Sequence, residues 1–81
     1  MSEERYHIVR IKPDSRRIWV EVYIWGENVF HREPFTTLPT EQQMSNIQIW
    51  CHEHACGRRM SFQQFVFKTE KELNMFMLRW A

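Results

Sequence analysis

Two cysteines, two histidines and a glutamate fall within six consecutive positions of the segment "WCHEHACG", residues 50–57. Those residue types carry most metal-ligand and nucleophile chemistry, so their spacing has to be tested against both. A structural zinc site draws four ligands into a tetrahedron, commonly as two close pairs from separate segments. Here one dense segment stands alone, at C-x4-C spacing and with no second cysteine pair. On a helix, at about 100° per residue, the two cysteines point about 140° apart. Met44, Ile47, Trp50, Cys51, His54 and Ala55 gather on one stripe, while His52 and Cys56 project together from another side. The segment therefore reads as the last turns of a packed helix that Gly57 stops in the left-handed conformation, its histidines close to the terminal carbonyls. His52 and Cys56 are left as the pair with spacing suited to a metal or a reactive thiol.

Nucleophilic catalysis asks for more. A working thiolate needs a base within hydrogen-bond reach and an oxyanion hole, and adjacent positions on one helix point apart. The chain has no phosphate-cradling glycine loop and no nucleophile elbow, and its one aspartate, Asp14, lies in a turn sequence. The expectation is a protein without enzymatic activity, cofactor or resident metal.

The elements that would position these residues can be read in order. "YHIVRIK", residues 6–12, has strand composition, and Pro13, Asp14 and Ser15 build a turn after it. In "RIWVEVYIW", Ile18, Val20, Val22 and Ile24 share one face of a second strand while Trp19, Glu21, Tyr23 and Trp25 share the other. "VFHREPF", residues 29–35, predicts a third strand that Pro34 either confines to an edge or ends outright, and "TTLP" predicts a loop. Thr40 followed by Gln43 is a capping box opening a helix over residues 41–56. "RMSFQQFVFK", from Arg59, reads as a further strand. Thr69 with Glu72 forms a second box ahead of a short helix whose stripe is Leu73, Phe76, Met77 and Trp80. The order β-β-(β)-α-β-α predicts one α+β domain over residues 1–81, a small two-layer sandwich with a mostly antiparallel sheet and two helices on one face.

Composition narrows the function classes. The 81 residues are 43% hydrophobic and 15% aromatic, enough for a core, and 26% charged. A chain this short buries only about 60% of the surface its unfolded form exposes. No apolar run approaches membrane-spanning length and the first residues are charged where a signal peptide would be apolar, so the expected location is the cytoplasm, with both cysteines reduced. Eleven basic against 10 acidic residues leave a net charge of +1, too balanced for a polyanion binder recognised by charge alone.

If the aliphatic face of the second strand meets the helices, Trp19, Tyr23 and Trp25 are left without an evident cover. Tryptophan, tyrosine and arginine are the types enriched at interface hot spots, so these three, with Arg17 and Arg32 at the rim, are the candidate partner-binding residues. The expected partner is another protein or a second copy of the chain. A second reading stacks single-stranded nucleic acid on the same rings, with Arg10, Arg16, Arg17 and Arg32 reaching phosphates, but Glu21 would then sit among those phosphates. A third keeps a zinc role for the Cys-His segment.

The stretch "FQQFVFKTEKELNMFMLRWA", residues 62–81, resembles the ending of many short accessory proteins of tailed bacteriophages. In those an aromatic strand enters a capped acidic turn and then a helix closing on F-x-L-[RK]-[WF], here "FMLRW", residues 76–80. The resemblance covers about a quarter of the chain. It implies a phage-encoded protein acting in the host cytoplasm by binding and redirecting a host protein, as in host takeover or counter-defence, and it carries over no functional residues.

Overall fold

A computed structural model describes residues 5–26 and 35–81. Seven elements follow in chain order: β1 (Tyr6–Ile11), β2 (Ile18–Gly26), β3 (Phe35–Thr37), α1 (Glu41–His54), β4 (Arg58–Arg59), β5 (Gln64–Phe67) and α2 (Glu70–Trp80). All strand pairs are antiparallel and make one sheet in the order β1-β2-β5-β4, with β3 also paired to β2. The protein is an α+β fold of the expected order, enlarged by one short strand. Its helices lie on one face of the sheet.

The centre is β2, whose strict alternation fixes both faces at once. Ile18, Val20 and Val22 are buried, Ile24 packs against them, and across the ladders Ile24 faces Tyr6 while Val20 faces Phe65. Beneath this face α1 contributes Met44, Ile47 and Cys51, and α2 contributes Leu73, Phe76 and Trp80. Phe76 is the hub, its ring set 4.9 Å from Phe67 and 5.6 Å from Phe65, with Trp50 edge-on at 6.2 Å. The ends of α2 are tied to the β1 side: Arg10 meets Glu70 at 2.8 Å, and Arg5 donates to the carbonyls of Leu78, Arg79 and Ala81. Helix and strand thus run antiparallel, and a guanidinium sits on the negative end of the helix dipole.

One edge of β2 is shared. Residues Ile18 to Glu21 pair with β5, and Ile24 to Gly26 pair with β3. Between them Gln63 serves Val22 twice: its carbonyl accepts the Val22 N–H at 2.9 Å, and its side-chain amide donates to the Val22 carbonyl at 2.9 Å. A buried strand cannot leave either group unpaired, so this one residue, through its backbone carbonyl and its side-chain amide, bridges the gap between two partner strands.

Several expectations need correction. The strand expected from Arg59 onward is two strands, because Met60 and Ser61 donate to the Gln64 carbonyl and close a tight turn. β3 begins at Phe35 and takes in Thr36 and Thr37, which "TTLP" placed in a loop; the rest of the expected third strand lies outside the described residues. Helix α1 ends at His54, two residues short of expectation, and Ala55 rather than Gly57 takes the first left-handed position, at φ 48°. Thr69 caps α2 through the Glu72 N–H, but the Glu72 carboxylate turns to the Lys68 N–H at 3.5 Å, so only half of the second box forms.

Candidate functional site

The early end of α1 changes what the Cys-His segment can do. The Ala55 N–H bonds the His52 carbonyl at 3.3 Å and the Cys56 N–H bonds the Cys51 carbonyl at 3.0 Å. Those two bonds define a Schellman motif, in which the residues at the positions of Cys51 and Cys56 commonly make an apolar contact. The cysteines are that pair. They are 2% and 1% exposed, both free, and they join the core together instead of pointing apart. Burial, with the second thiol nearby, pushes Cys51 up to about 12. Burial and then the Glu72 carboxylate raise Cys56, whose Sγ donates to the Glu72 carbonyl at 2.9 Å. Neither thiol is disposed to form a thiolate near neutrality.

The histidines go elsewhere. His54 is exposed, not buried beside Cys51: its ring stacks on Trp50 at 4.4 Å, and its Nδ1 lies 2.9 Å from the Trp50 carbonyl. A carbonyl only accepts, so that nitrogen carries the proton. His52 is exposed while Cys56 is buried, and the expected pair is broken. Among the described residues no group of three or more His, Cys, Asp or Glu side chains is placed to hold a metal ion.

The other face of the sheet brings the predicted aromatic residues together. Register puts His7, Val9 and Ile11 of β1 beside Tyr23, Glu21 and Trp19 of β2, with Gln64 and Val66 of β5 and Arg58 of β4 completing the surface. No helix lies over it among the described residues. Most of its side chains are half-buried by one another, while Arg58 is exposed and Trp25 is 48% exposed.

At the middle, Glu21 accepts from the Tyr23 hydroxyl at 2.7 Å and from the Gln64 amide at 3.1 Å. The Tyr23 bond, then the Gln64 bond, hold the Glu21 carboxyl below the usual glutamate range, and the same carboxylate raises the Tyr23 phenol. Each stabilises the form of the other present at neutral pH. At one end His7 packs edge-on against Trp25 at 4.6 Å and lies 6.4 Å from Tyr23. At the other end the Lys12 ammonium sits 3.7 Å from the centre of the Trp19 ring, and the Trp19 indole donates to Ser15 Oγ at 3.2 Å.

No protein-family model matches this chain, and neither a curated protein nor a solved structure is similar to it. Chemistry is thus read from the residues alone. Trp19, Tyr23 and Trp25 do share one face, as their spacing predicts. Arg17 is exposed in the β1–β2 connection at the Trp19 end, its N–H bonded to Ser15 Oγ at 3.2 Å, and Arg32 lies outside the described residues. Arg10, assigned to phosphate contact in the nucleic-acid reading, sits on the opposite face beside Val20 and is paired with Glu70. Sequence reasoning missed His7, Gln64 and Arg58. His7 and Gln64 are readable only through register, which pairs them across strands with Tyr23 and Glu21.

Proposed function

We propose that this protein is a non-enzymatic interaction module whose helix-free sheet face docks on another protein. The observation that carries the reading is the face itself: Trp25 half-exposed, Tyr23 and Trp19 beside it, and a polar centre at Glu21 whose hydrogen bonds are satisfied laterally. A partner that covers this surface gains apolar contact without leaving a buried carboxylate unpaired. The resemblance of the C-terminal stretch to phage accessory proteins extends the proposal to a phage-encoded modulator of a bacterial host protein. The "FMLRW" helix itself supplies core, since Phe76 and Trp80 are buried.

Nucleic acid fits less well. The Lys12 ammonium occupies a face of the Trp19 ring, where a base would stack, and Glu21 faces the phosphate track. No described helix is long and apolar enough to cross a membrane, which fits a partner met outside the bilayer.

Affinity capture from bacterial cells tests the reading when wild type is compared with Trp25→Ala and with Leu78→Ala. Leu78 is 81% exposed on α2 and makes the control for generic hydrophobic retention. Proteins lost with Trp25→Ala but kept with Leu78→Ala support the sheet face. Equal loss in both variants, or no loss in either, removes it. A monomer–dimer shift abolished by Trp25→Ala would assign the face to self-association.

A further inference from the structure

A groove of about 790 Å³ curves round the end of the sheet where β2 begins and β5 finishes. On the open face its wall is the cross-strand row Trp19, Val66 and Arg58. Arg17 and Lys68 line it from the connections beside those strands, and Glu72 closes it from the first turn of α2. The volume lies in the range of built binding sites, about 300–1,000 Å³.

Its charge is one-sided. Three cations, Arg17, Arg58 and Lys68, line the groove against one carboxylate, Glu72, which already lies by the Lys68 N–H. Two cations outside the groove are matched: Arg10 has Glu70, and Arg59 has Glu41 in a two-pronged pair at 3.1 and 2.9 Å. Arg17, Arg58 and Lys68 have no carboxylate partner among the described residues. In a chain of net charge +1 this is a local excess of positive charge. It is set beside apolar lining, Val66 and the 45% exposed Met60.

We propose that this groove binds an acidic peptide segment of a protein partner, its carboxylates meeting Arg17, Arg58 and Lys68 and its apolar side chains resting on Val66 and Met60; the proposal rests on the sheet face being a protein-contact surface, with which the groove is continuous through Trp19. Guanidinium groups bind carboxylates in fork geometry, and cations without internal partners give up no existing ion pair on binding. A peptide is favoured over nucleic acid because the Trp19 ring is engaged by Lys12 and because Val66 and Met60, the apolar residues beside the cations, suit aliphatic side chains rather than stacked bases.

The test is fluorescence anisotropy with a labelled Glu-Glu-Leu-Glu-Glu-Leu peptide and, in parallel, a labelled oligothymidylate. The peptide binds saturably at low salt, weakens about tenfold in the Arg17→Glu/Arg58→Glu double variant, and weakens with added salt. Lys68→Glu gives the same direction should the double variant misfold, and Arg10→Glu, a charge reversal outside the groove, leaves the affinity within about twofold. Absence of saturable peptide binding at low salt, equal binding by Lys68→Glu or the folded double variant, or tighter binding of the oligothymidylate overturns the proposal. Trp25→Ala separates the two claims: partner capture that still depends on Trp25 while the peptide fails to bind removes the groove and leaves the face.

Discussion

At the scale of single residues, the letters that most suggested chemistry turn out to be packing, and Glu21, between Trp19 and Tyr23 on one strand face, turns out to organise the surface. Cys51 and Cys56 fill the apolar pair of a Schellman turn, so a maleimide reagent should label neither within the time that labels both in denaturant. Rapid native labelling of either would show that the turn opens readily. Sequence spacing alone could not reveal this pairing. Ala55 adopts φ 48°, and that single left-handed residue swings Cys56 from the helix surface into the core. The Glu21–Tyr23 bond makes the sheet face sensitive to pH at both extremes. Glu21 titrates below its ordinary value, so its contribution is complete above pH ~4.3 and is lost as pH falls through the lowered folded value. Tyr23 titrates above its ordinary value, so its contribution is complete below pH ~10 and is lost as pH rises through the raised folded value. Tyr23→Phe should raise the Glu21 carboxyl and flatten both arms of the stability profile. Carbon-detected NMR titration of Glu21, with chemical denaturation across pH, reads both effects, and an unmoved Glu21 would show that the bond does not form in solution.

At the scale of elements, legibility followed the strength of the local signal. β2 was plain because its residues from Ile18 to Trp25 alternate in type, and α1 began where Thr40 and Gln43 said it would, with both halves of the box in place. Helix ends were less legible, since alanine is not a residue whose presence announces a left-handed turn. Gly57 is needed for a different reason from the one its position implies: at φ 93° it lies so close to Phe67 that an added Cβ would stand 2.4 Å from the ring. The two positions therefore predict opposite outcomes. Ala55→Gly relieves an exposed left-handed alanine and should stabilise by about 1 kcal/mol, roughly a 4–8 °C rise in Tm for a domain of this size. Gly57→Ala should cost more than about 1 kcal/mol, because both the backbone and the ring oppose it. Thermal denaturation of the two variants decides, and the same sign for both would contradict this description of the turn. β4 was invisible because a two-residue strand has no period. It is held instead by Arg59, which donates to Glu41, Gln48 and the carbonyls of Ser61 and Phe62.

At the scale of the whole molecule, the two layers divide the work. One face of the sheet and both helices form the core, and the stripe of Leu73, Phe76, Met77 and Trp80 was readable from helical spacing alone. The other face keeps its aromatic residues outside that core, which the alternation of β2 also predicted. What the sequence could not show is the company those residues keep, since His7, Gln64 and Arg58 arrive from three other strands through register. Nor could it show that a near-neutral chain gathers unpaired cations at one end of the sheet. Oxidative footprinting, read residue by residue with and without a captured partner, tests the central claim most directly. The account predicts that Trp25 and Tyr23 are protected in the complex while Met75 and Leu78, exposed on α2, react as in the free protein. Protection of Met75 and Leu78 with Trp25 and Tyr23 unchanged would place the contact on the helical layer and contradict it.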